Sequence, residues 1–127
     1  MNLLPTLTYL GKLHLVEVYE ADDEPCLFAC QSASGQIYLV VFVDETEAYK
    51  DWLYVALSQK RFVQLRSGTL DLYDGFKRAE DERVHLVKVP LLDDVMTSTV
   101  ETLPCEQLTD NMLPLPGEFL RLVAQPV

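Results

Sequence analysis

Two histidines, His14 and His85, are the side chains of this chain best suited to moving protons near neutral pH. His14 falls in a stretch with Val16 and Val18 at every second position, and His85 in one with Val87 and Val89. As strand residues, each would share a face with β-branched apolar neighbours. The two would form a general acid–base pair only if the fold made those faces adjacent. The plainer reading is two hydrogen-bonded histidines of a sheet.

Three cysteines, Cys26, Cys30 and Cys105, are the candidate thiols. Cys26 and Cys30 are four apart, which in a strand puts them on one face with Phe28. Zinc sites need about four ligands, with cysteines paired at close turn spacing. That pattern is missing, so core packing is the expectation and no metal or cofactor is expected. Paired carboxylates occur at Asp22-Asp23-Glu24, Asp44-Glu45 and Asp93-Asp94, all in stretches that read as turns. Catalysis needs carboxylates whose pKa values are driven apart by burial or neighbours, and solvated turns do not do that. The chain has no G-x-S-x-G elbow, no phosphate-binding G-x-x-x-x-G-K loop and no G-x-G-x-x-G. These absences argue against the common nucleotide-dependent enzymes.

Arg61 and Arg66 complete the set of candidates. Five residues apart on a helix, they point about 140° away from each other. One is expected to anchor the helix to a carboxylate of the preceding strand, such as Asp51. With Lys60, Lys77 and Arg78 they could also form a basic patch for an acidic partner or a phosphate-bearing ligand. Arg61, Arg66, His14 and His85 are therefore the candidate ligand- or partner-binding residues, and no catalytic residue is assigned.

The elements that would position these residues follow from periodicity. Residues 13–19 and 26–31 read as strands separated by the turn ADDEP. Residues 36–43 contain IYLVVFV, apolar at consecutive positions and rich in β-branched residues, as in a strand covered on both faces. Residues 51–57 read as a fourth strand. Ser58 then caps a helix over QKRFVQLRS, with Phe62 and Leu65 on its buried stripe, and Gly68 ends it. Thr69 caps a second short helix carrying Leu72 and Phe76. Gly75 inside that helix costs about 1 kcal/mol relative to alanine. Residues 83–89 alternate as a strand ended by Pro90. Residues 100–103 read as another, ended by Pro104. Residues 110–117 form a proline-punctuated loop, and 118–124 read as a last, edge strand.

The expected fold is α+β. A largely antiparallel sheet of five to seven strands carries two short consecutive helices, within 58–79, on one face. The expected core holds Phe28, Leu39, Val41, Trp52, Leu53, Val55, Phe62, Leu65, Leu72 and Phe76. A chain of 127 residues reads as a single globular domain over 1–127. Its apolar fraction of 49% and charged fraction of 24% are ordinary for such a domain.

The net charge is −10. It is uneven: residues 1–59 carry −7, residues 60–88 carry +2 and residues 89–127 carry −5. A chain this acidic has no global attraction to phosphate backbones or anionic membranes, so neither nucleic acid nor membrane is expected as a partner. Odd cysteine usage, no basic segment leading into an apolar run and no apolar run near the ~20 residues of a membrane span point to a cytoplasmic protein.

The stretch WLYVALSQKRFVQLRSGTLDLYDGF, residues 52–76, resembles a family of small uncharacterised bacterial domains. The residues carrying the resemblance are Trp52 to Ser58, Arg61, Arg66 to Gly68, Asp71-Leu72 and Phe76. It implies a bacterial cytosolic origin and brings no activity or ligand with it. The sequence names no reaction. It favours a non-enzymatic protein-binding or regulatory module with a protein partner or a homodimer, the loop 113–117 being a candidate interface. The alternative is a small enzyme or ligand-binding protein with its site between sheet and helices.

Overall fold

Period-two alternation decides how the strands bury their side chains. In the computed structural model, which describes residues 12–22, 24–91 and 99–120, the strands are β1 (Leu13–Asp22), β2 (Glu24–Ser32), β3 (Ile37–Glu45), β4 (Tyr49–Leu57), β5 (Arg83–Pro90) and β6 (Thr99–Pro104). They form one antiparallel sheet in the order β1-β2-β3-β4-β5-β6. In β3, Ile37 and Leu39 enter one apolar cluster while Tyr38 and Val40 enter another. β4 does the same, sending Leu53 and Val55 to the first cluster and Tyr54 to the second. Both faces of these central strands are thus buried, as the unbroken apolar run requires.

The segment between β4 and β5 carries α1 (Gln59–Arg66) and α2 (Leu72–Lys77). Ser58 caps α1, its hydroxyl accepting from the Arg61 amide at 3.1 Å. Gly68, at φ 77°, closes it: the Gly68 amide donates to the Leu65 carbonyl and the Thr69 amide to the Gln64 carbonyl. This is the two-bond ending that glycine's left-handed freedom allows. The cap of α2 is Asp71, not Thr69 as expected. Its carboxylate accepts from the Asp74 amide at 2.9 Å. A carboxylate two residues nearer the helix satisfies the first free amides and favours the positive helix end. The Thr69 hydroxyl instead faces that of Ser67 at 2.8 Å.

Leu39, Leu53, Val55, Phe62, Leu65, Leu72 and Phe76, all expected in the core, share the first cluster. Phe28 belongs to the second, and Trp52 packs against it half-buried. Tail residues Cys105, Leu108 and Leu113 are buried as well, beyond what the sequence suggested. Two features depart from the expected strands. Glu118–Leu120 are not extended strand, and the remainder of the expected edge strand lies outside the described residues. β1 is also bulged: its register against β2 shifts between Leu15 and Glu17 and again between Val18 and Glu20. His14 pairs with Gln31 and Val18 with Phe28. Those partners are three apart in β2, so His14 and Val18 lie on opposite faces and not on the shared face that strict alternation implied. No helix among the described residues is long and apolar enough to cross a membrane.

Gly75 is where α2 meets α1. A Cβ there would stand 3.3 Å from Leu65 Cδ2, and Leu65 is fully buried. Replacing Gly75 by valine should therefore cost ~1–3 kcal/mol through overpacking. The readout is a lower urea midpoint at unchanged slope. An unchanged midpoint would mean that Leu65 has room to move.

Candidate functional site

The four residues singled out by the sequence do not converge. His14 is exposed on β1. His85 is buried on β5, its Nδ1 3.0 Å from the Thr102 hydroxyl and its ring edge-on to Tyr38. Three strands separate β1 from β5, which at ~4.8 Å per strand is roughly 19 Å. The two histidines are therefore not placed as an acid–base pair.

The arginines bind different partners, and neither takes Asp51, the carboxylate expected from the preceding strand. Arg61 Nη2 donates to the carbonyl of Asp74 at 3.2 Å and also to that of Arg78. It thereby ties α1 to the end of α2. Arg66 reaches back to β1 and grips Glu17 with two parallel bonds: Nε lies 3.0 Å from Oε1, and Nη2 donates to Oε2 at 3.0 Å. The Arg66 guanidinium also stands 5.6 Å from the centre of the Phe62 ring. Asp51 lies near the start of β4, opposite Asp44 and Lys88. That end of the strand is remote from the helix that β4 leads into.

Lys77 and Arg78 are also engaged locally. Lys77 Nζ donates to the carbonyls of Glu106 and Leu108. Arg78 lies 3.6 Å from the Asp74 carboxylate one turn earlier. Arg61, Arg66, Lys77 and Arg78, close in sequence, thus have separate acceptors. Among the described residues no group of three or more His, Cys, Asp or Glu could hold a metal ion. Cys30 is fully buried, and burial alone pushes its thiol up to about 12.

Open space gathers instead around Tyr19, a residue the sequence did not single out. It is the extra residue of the second bulge in β1, and it lines two adjoining clefts. The first, about 390 Å³, lies among Tyr19, Glu20, Leu27, Leu72, Glu118 and Phe119. The second, about 320 Å³, lies among Tyr19, Val63, Arg66, Ser67 and Leu120. The Tyr19 hydroxyl donates to Glu17 Oε1 at 2.8 Å. Burial pushes its pKa far up, the bond to Glu17 and that carboxylate's charge push it further, and Arg66 opposes them. The phenol therefore stays protonated and acts as a hydrogen-bond donor. One Glu17 carboxylate thus holds both a side chain of its own strand and the Arg66 guanidinium.

Asp71 sets the opposite wall. One of its carboxylate oxygens caps α2, and the other accepts from the Gly117 amide at 2.8 Å. The Leu72 amide in turn donates to the Glu118 carbonyl at 2.8 Å. These two bonds lay residues 117–118 along the start of α2. An aspartate just before LYDGF signals a helix cap in the sequence. Its second partner, 46 residues later, leaves no local signal.

A family model described as "Family of unknown function (DUF6575)" matches residues 1–123. No curated protein and no solved structure matches the chain.

Burial holds the His85 imidazole below its ordinary value of 6.5, the Asp81 charge partly opposing. The unfolded chain therefore takes up this proton first as pH falls. The group has no effect above its unfolded pKa and lowers stability progressively below it. Thermal unfolding followed from about pH 7.5 to about pH 5.5 should show a falling Tm, with a shallower fall in His85→Gln. Equal slopes in the two proteins would contradict this.

Proposed function

The chain belongs to DUF6575, a family of unknown function, and from its own geometry we propose that it is a non-enzymatic protein-binding or regulatory module. The observation that carries this reading is the pair of adjoining clefts that share Tyr19 and are bordered by exposed apolar side chains. Val63 is 58% exposed at one cleft and Phe119 is 45% exposed at the other. Exposed apolar surface beside preformed concavities is the usual mark of a contact surface. Both clefts are half open and near the small end of ligand-site volumes, which suits side chains presented by a partner.

Of the four residues first singled out, Arg66 is the one that lines either of these two clefts, and it is the one retained as a binding candidate. In this reading both short helices pack on one face of the sheet. The support is the cluster that Phe62, Leu65, Leu72 and Phe76 share with Leu39 and Val55. A bacterial cytoplasmic setting belongs to the same reading, supported by three free thiols, as a reducing compartment maintains.

Crosslinking followed by affinity purification from native lysate tests the proposal. The wild-type chain should retain a stoichiometric partner, and Val63→Asp with Phe119→Asp should lose it. Both sites are exposed, so stability should change by no more than ~0.5 kcal/mol. A partner retained equally by the variant, or none captured by the wild type, would overturn the reading.

A further inference from the structure

We infer that the cleft between β1 and residues 117–119 receives a lysine side chain displayed by the partner protein, an inference that rests on the binding reading above. The cleft combines two features that a lysine needs at once. Its floor is apolar: Leu27 and Leu72 are 4% and 3% exposed. Its rim is acidic: Glu20 comes from β1 and Glu118 from the segment that Asp71 holds beside α2. Among the described residues, no lysine, arginine or histidine lines it. The Arg66 guanidinium belongs to the adjoining cleft and is already gripped by Glu17.

A lysine buries its methylene stem on apolar surface while its ammonium seeks carboxylates or water. Leu27 and Leu72 supply the first surface, and Glu20 and Glu118 the second. Tyr19 and the half-exposed Phe119 add aromatic walls, which attract a cation placed over their faces. Lysine fits better than arginine here. A guanidinium favours both oxygens of one carboxylate in a planar fork, whereas a compact ammonium with three donors can serve two carboxylates from separate elements. The surrounding charge works in the same direction. The segments that supply the two glutamates, residues 1–59 and 89–127, carry −7 and −5, and carboxylates lining a cleft with low-dielectric walls attract an incoming cation.

The test is a titration of the full chain, followed by amide and side-chain chemical shifts in NMR. The probes are a capped Leu-Lys-Leu tripeptide, its norleucine counterpart and n-hexylamine. The lysine peptide should shift Glu20, Leu72, Gly117 and Glu118. It should bind about tenfold more tightly than the norleucine peptide and about tenfold more tightly than it binds Glu20→Gln/Glu118→Gln. Added salt should weaken it. Hexylamine should bind more weakly than the peptide, since the proposal places the ammonium on a peptide backbone. Hexylamine binding as tightly as the peptide would assign the cleft to a free amine and overturn the proposal. Equal affinity for the lysine and norleucine peptides would also overturn it, showing an apolar cleft while leaving the protein-binding reading standing. Absence of any shift at these residues at millimolar lysine peptide would overturn it too. The lysate experiment with Val63→Asp and Phe119→Asp then decides separately whether a partner binds at all.

Discussion

β4 and β5 are hydrogen-bonded neighbours, yet residues 58–82 lie between them. The chain must leave the sheet at Leu57, build two helices and return to the adjacent position. An excursion of this kind orders many residues, a cost offset by burying Phe62, Leu65, Leu72 and Phe76 in the core and by polar bonds that close its ends. Glu80 provides the closure. Its two carboxylate oxygens accept from the Ser58 amide at 2.8 Å and the Ser58 hydroxyl at 2.7 Å, so the last turn of the excursion grips its first residue. Ser58 uses the same hydroxyl oxygen to cap α1. Arg61 adds a second tie across the excursion through the carbonyls of Asp74 and Arg78.

Several cations of the segment serve the same end. Arg61 and Lys77 donate to carbonyls at the end of α2 and in the tail, where helix ends leave acceptors in need of donors. Lys77 extends the network to Glu106 and Leu108, and so fixes the start of the C-terminal segment. Asp71 fixes that segment again at Gly117. On the other side Arg66 joins α1 to Glu17, and Glu17 orients Tyr19. The clefts around Tyr19 lie beside two of these attachments, Asp71 to Gly117 and Arg66 to Glu17. Ties that look purely structural therefore also define the surface available for contact.

The sequence showed the parts governed by local rules. The both-face burial of β3 could be read from IYLVVFV, the α1 cap from Ser58 and the helix stop from Gly68, because each depends on neighbours a few residues away. The site depends on contacts that no short window contains. The Arg66–Glu17 pair spans 49 residues and the Asp71–Gly117 bond 46. Tyr19 was missed for a different reason. Two bulges break the alternation of β1, so a strict period of two assigns His14 and Val18 to one face and gives no indication that Tyr19 turns into a cleft. The chain's family is one of unknown function, as the expected resemblance to an uncharacterised family implied. Trp52, Ser58, Arg61 and Gly68, within residues 52–76, all have roles in packing, capping or tying the fold.

The account turns on whether Arg61 is scaffold. Equilibrium urea unfolding of Arg61→Met tests this most directly, since methionine keeps much of the aliphatic stem and removes the donors. Loss of charge-assisted bonds to the Asp74 and Arg78 carbonyls should lower stability by ~1–3 kcal/mol, seen as a reduced midpoint at the same slope. A midpoint equal to that of the wild type would contradict the account, because it would leave the Arg61 guanidinium without a structural task and return it to the set of free binding groups.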